Sequence, residues 1–97
     1  SEENSLTEEK KNETLREGER IFVEITDQWM DKARQKAFRE RVKILMEKTD
    51  GYQKKGGRIP GKSVIEEFMR RHYPEYRLKV KKSSRKGEET LWMIKRG

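Results

Sequence analysis

Pro74 divides this chain into two rhythms. Upstream of it, apolar residues recur every three or four positions, the spacing of a helix face. Downstream, Tyr76, Leu78 and Val80 alternate with Arg77, Lys79 and Lys81, the period of two of a half-buried strand. That switch predicts an α+β fold: a three-helix unit followed by a C-terminal two-stranded β-hairpin. The supply of apolar residues is small. Of 97 residues, 30% are hydrophobic and 44% charged, enough for one thin core and one domain.

Residues 1–13 contain a single leucine among Glu, Lys, Asn, Ser and Thr, which predicts a flexible acidic leader and a domain over 14–97. Ile21, Phe22, Ile25, Trp29, Met30 and Ala33 give the face of a first helix starting near Thr14 or Gly18. The β-branched residues between Ile21 and Thr26 leave a short strand over Arg20–Thr26 as the weaker option. Lys32–Lys48 is a second helix with Ala33, Ala37, Phe38, Val42, Leu45 and Met46 on one side. Asp31 either caps it or lies inside one long bent helix, and Thr49-Asp50-Gly51 stops it. A third helix opens after Pro60, where Ser63 and Glu66 have capping-box spacing. It buries Val64, Ile65, Phe68, Met69 and Tyr73, and Pro74 ends it. Ser83–Gly87 reads as a turn. Glu88–Ile94 returns as the second strand, apolar on both faces and so the inner one.

Several chemistries have no support in these residues. Cysteine is absent, which removes disulfides, thiolate ligands and thiol nucleophiles. Gly56-Gly57-Arg58-Ile59-Pro60-Gly61-Lys62-Ser63 matches the P-loop pattern by letter. That motif requires a preceding buried strand and a later acidic magnesium ligand, and Asp50–Lys55 is no such strand. His72 is the sole histidine, and with Glu75 alone it makes no metal site. Ser63 beside Lys62, Ser83 beside Lys82, and the pairs Glu66/Glu67 and Glu88/Glu89 are more economically read as solvated positions. The expectation is a protein without catalytic residues, metal or cofactor. No apolar run reaches the roughly 18 residues of a membrane span, so no membrane partner is expected.

Charge gives the positive signal. Ser1–Asp31 carries 4 Lys/Arg against 10 Asp/Glu, a net −6, while Lys32–Gly97 carries 21 against 8, a net +13. Clustered positive charge is the footprint of a surface that meets polyanions. Lysine on an edge strand also guards against aggregation, which would account for Lys79 and Lys81. It does not account for Lys82, Arg85 and Lys86 continuing through the turn, or for Lys95 and Arg96 at its base.

Three helices followed by a basic hairpin resemble the winged-helix family of nucleic-acid-binding domains. The resemblance implies a third helix presented to the major groove, here with Lys62, Glu66, Glu67, Arg70 and Arg71. It also implies a wing whose tip is Lys82 to Lys86, with Arg85 entering the minor groove. The second helix is longer than the family's usual one, and Glu66 and Glu67 would repel phosphates. The hairpin and the basic side of the second helix therefore become the main contact surface. The expected site is Lys62, Arg70, Arg71, Lys79, Lys81, Lys82, Arg85, Lys86, Lys95 and Arg96, binding duplex DNA mainly through phosphates. RNA binding is an alternative, with Tyr52, Tyr73 and Tyr76 as stacking candidates. A second alternative is a protein-assembly module that pairs an acidic first helix with a basic body. A homodimer seam through Trp29, Met30 and Ala33 would belong to it, although core is the favoured reading of those residues. The expected location is intracellular: cytoplasm, nucleoid or nucleus.

Overall fold

Gly18 sets how closely the first two helices approach. In the computed structural model, which describes residues 2–53, 55–83 and 89–97, α1 (Glu2–Val23) runs antiparallel to α2 (Lys32–Asp50). A Cβ on Gly18 would stand 2.6 Å from Leu45 Cδ1 and 2.7 Å from the Tyr73 hydroxyl, so only glycine permits this contact. The helix begins at Glu2, well before Thr14, running through the stretch read as a leader. Its exposed turns have little to bury, but Lys11 lies 4.0 Å from Asp50 at the far end of α2 and Leu15 packs on the core.

α1 stops at Val23, and residues 24–31 are not helical, so the long helical face through Ala33 is incorrect. Asp27 takes a left-handed φ of 65°, which Asp tolerates better than a β-branched residue would. The connection then lies against β2 (Thr90–Arg96): Asp27 N–H donates to Ile94 O at 2.8 Å and Met30 N–H to Trp92 O at 2.7 Å. Asp31 caps α2, accepting the Arg34 amide at 3.0 Å. The inward face of α2 is Gln35, Phe38, Val42, Leu45, Met46 and Thr49; Ala33 and Ala37 are exposed. Gln35 and Thr49 are its polar members: Gln35 Nε2 donates to Met30 O at 2.8 Å and Thr90 O at 2.6 Å, and Thr49 Oγ1 to Leu45 O at 2.9 Å. Gly51, at φ 64°, is the left-handed C-cap that the sequence indicates.

α3 (Lys62–His72) starts at Gly61, whose position as N-cap has no side-chain hydrogen bond. Ser63 therefore lies inside the first turn rather than at the cap, and the expected capping box does not form. Ile65, Phe68, Met69 and Tyr73 are buried and Val64 partly so, as the spacing predicts. β1 (Tyr76–Lys82) pairs antiparallel with β2, from Tyr76 opposite Arg96 to Lys82 opposite Thr90. β2 has β1 on one side and the bridges of Thr26 and Met30 on the other, so it is the inner strand.

Phe22, fully buried, is the centre of the core. Its ring lies 5.9 Å from Phe38, 4.7 Å from Tyr73 and 5.7 Å from Tyr76, touching α2, the end of α3 and β1. Met30 is 1% exposed within this same core, which removes it from any seam between copies.

Two opposing effects decide the outcome of Gly18→Ala. Helix propensity favours alanine by about 1 kcal/mol, and overpacking opposes it by about 1–3 kcal/mol. The Tyr73 hydroxyl cannot easily retreat, because it donates to Leu15 O at 2.6 Å and its ring is wedged beside Phe22 and Phe68. Net destabilisation is expected in urea unfolding followed by circular dichroism; a raised midpoint would show that the contact relaxes freely.

Candidate nucleic-acid interface

The strand pairing sorts the hairpin cations onto two faces. Because side chains alternate, Tyr76, Leu78, Val80 and Lys82 share the core-side face of β1, with Arg96 and Thr90 opposite its ends. Arg77, Lys79 and Lys81 point the other way, across from Lys95, Met93 and Leu91. Same-side residues recur about every 6.6 Å along a strand, so these three cations form a short regular row.

The outer face also holds an aromatic. Trp29, one residue before the Met30–Trp92 bridge, is partly exposed beside β2, and Lys81 Nζ stands 4.1 Å from the centre of its ring. This cation–π contact fixes Lys81 while leaving its charge at the surface. Lys79 and Lys82 are exposed and have no partner among the described residues.

At the base of the hairpin the cations are engaged within the chain. Lys95 is 2.7 Å from Asp27 Oδ1, and the Arg96 guanidinium lies 5.4 Å from the Tyr76 ring. Arg85 and Lys86 lie outside the described residues.

On α3, Lys62, Glu66 and Arg70 succeed one another at intervals of four along one side. A depression of about 330 Å³ separates this side from β1; Glu66, Met69, Arg70, Arg77 and Leu78 line it. Arg70 donates to Glu67 at 2.9 Å and Lys62 lies 3.9 Å from Glu66. Such exposed pairs are worth only about 0.2–0.5 kcal/mol, so a phosphate can displace them. Arg71 is in a different position. It meets Asp50 at 2.9 Å, a carboxylate only 16% exposed that also holds His72 Nε2 at 2.9 Å. Arg71 joins the C-terminal ends of α2 and α3, and the geometry takes it out of the contact surface.

The basic side of α2 is likewise used internally. Arg39 Nε donates to Pro60 O at 2.8 Å, Lys43 Nζ to Gly57 O at 3.0 Å, and Arg41 pairs with Glu24 at 3.0 Å. Two of these bonds hold the glycine-rich loop by its carbonyls, and the end of α2 rather than a strand precedes that loop. Among the described residues no three His, Asp or Glu gather where they could hold a metal ion, and no helix is long and apolar enough to cross a membrane.

Two of the three tyrosines are closed to base stacking. Tyr73 and Tyr76 are each 3% exposed, and Tyr52 is half-buried with its hydroxyl enclosed. Burial and the Glu19 and Glu75 carboxylates push the Tyr73 phenol far above its usual value. Burial, then the hydrogen bond to Glu19 at 2.8 Å, raises Tyr76. Spacing does place Arg77 with Lys79 and Lys81, so its omission from the expected site was avoidable. Trp29 was hidden by its assignment to a helix.

Both raised phenols favour the protonated form in the folded state. Their contribution is therefore complete below pH ~10, the unfolded value, and is lost as pH rises beyond it. Absorbance at alkaline pH should show two tyrosines ionising only together with unfolding. Independent ionisation in the folded protein would contradict the burial of both rings. The chain matches no family model, no curated protein and no solved structure.

Proposed function

We propose that this domain is a non-catalytic, winged-helix-like module that binds double-stranded DNA through its phosphates. The observation carrying the proposal is the outward row of Arg77, Lys79 and Lys81 on β1, with exposed Lys82 on the other face at the strand's end and a depression lined by Arg70 and Arg77 between β1 and α3. In this reading the depression receives the sugar–phosphate backbone. Lys82 and Arg70 flank the strand, while Lys79 and Lys81 extend the positive field outward. Glu66 and Glu67 keep α3 from lying deep in a groove of like charge, so contacts to the backbone outnumber contacts to bases.

The element order supports the same reading. Residues 26–30 add a short edge to β2 between α1 and α2, and Tyr76 of β1 bonds Glu19 of α1, so both strands of the hairpin are tied to the helical body. A rigid hairpin loses less entropy on binding than a mobile one. Within one chain, Glu24 and Asp27 of the acidic segment pair with Arg41 and Lys95 of the basic body.

Fluorescence anisotropy on a short labelled duplex, titrated across salt, tests this. Lys79→Ala, Lys81→Ala and Lys82→Ala together should weaken binding and flatten the log–log salt slope by up to about 2.7, at about 0.9 per lost phosphate contact. Lys95→Ala should have a smaller effect than Lys79→Ala, since Asp27 already holds Lys95. An unchanged slope in the triple variant removes the hairpin from the interface. Tighter binding to a matched RNA would keep the surface and replace the polymer.

A further inference from the structure

The outer side of the α1–α2 pair carries a second surface, which shares no residue with the hairpin or α3. Two shallow depressions, of about 290 and 150 Å³, lie along the groove between the helices, and Ile21 and Arg41 line both. Ile44, which lines the larger of the two, is 51% exposed. Charge is ordered along the same groove. Glu17 lies on α1 and Glu24 one residue past its end, and Arg34, Arg41 and Lys48 stand seven residues apart on α2. A seven-residue step returns nearly to the same side of a helix, so one bank carries Glu17 and Glu24 with Lys10 near its start, and the other carries Arg34, Arg41 and Lys48.

We infer that this face binds a second copy of the chain, forming an antiparallel four-helix dimer. The argument is symmetry. A two-fold axis parallel to the helices lays α1 of one copy on α2 of the other without changing the level of any residue along the axis. The acidic bank of each copy then covers the basic bank of its partner. Levels can be read from contacts within one chain, where Glu24 sits beside Arg41 and Gly18 beside Leu45. Glu24, already paired with Arg41 of its own chain, therefore also lies level with the partner's Arg41, and Glu17 falls opposite the stretch between Ile44 and Lys48. Ile44 comes to lie over the larger depression, whose floor includes the bare backbone of Gly18.

The area is sufficient but modest. Nineteen residues of α2 span about 28 Å, and two helices about 10 Å apart give a face on the order of 550 Å² per copy. Roughly 1,100 Å² in total is the lower end of what holds two proteins together, so the dissociation constant should be on the order of micromolar. Dimerisation would set two hairpins in fixed relation and raise the effective concentration of each for a shared duplex.

Sedimentation equilibrium over a range of protein concentrations tests the inference. The unsubstituted chain should show a monomer–dimer equilibrium. Ile44→Glu, at an exposed position, should weaken it at least about tenfold while leaving the thermal melt of dilute protein unchanged. Glu17→Lys should also weaken it, by placing like charges at the Lys48 level, and Glu17→Lys with Lys48→Glu should recover it. A concentration-independent monomer mass overturns the inference. So does a dimer that persists undiminished in Ile44→Glu, or a double variant no stronger than Glu17→Lys alone.

Discussion

Phe22 is the contact on which the rest of this structure depends. One ring from α1 touches α2, the end of α3 and β1, in a chain with too few apolar residues to provide alternatives. Around it the remaining connections are made by polar groups used economically. The Tyr73 and Tyr76 hydroxyls reach back to α1, Gln35 bridges two backbone carbonyls, and Asp50 gathers Arg71 and His72. The tyrosine hydroxyls and Gln35 are buried or nearly so, where an unpaired partner would cost about 1–3 kcal/mol, while the Asp50 cluster lies nearer the surface. A thin core thus gains specificity from hydrogen bonds that admit few alternative partners.

Much of the fold was legible because periodicity reports burial directly. Ile65, Phe68 and Met69 on α3 and the alternation from Tyr76 to Val80 lie where their spacing puts them, and Gly51 ends α2 as its position suggests. The errors share a cause. Ile25, Trp29 and Met30 fit a helical face, but they pack from an extended segment along β2, a pairing between residues more than sixty positions apart. Local rhythm cannot register a partner that distant. Gln35 was invisible for the same reason, since both carbonyls that justify its burial lie in other elements.

The candidate site was legible in its charge and not in its selection. A sequence counts cations; only geometry reveals which are already spent. Arg39 and Lys43 fasten a loop, Arg41 and Lys95 answer acidic residues from the first third of the chain, and Arg71 closes the junction of two helices. The net +13 of residues 32–97 therefore overstates the charge left without an internal partner. The acidic N-terminal third, set apart by its sign, is in part the counter-charge that lets so basic a chain fold.

The meeting of Lys81 with Trp29 gives the molecule an internal reporter. Its two indoles occupy unlike surroundings, Trp92 being 7% exposed in the core and Trp29 partly open beneath an ammonium group. Any partner that draws Lys81 away from the ring changes the charge above one chromophore and leaves the other undisturbed. Trp29 emission is thus the natural signal of whatever happens to Lys81, without a label and without altering a single residue.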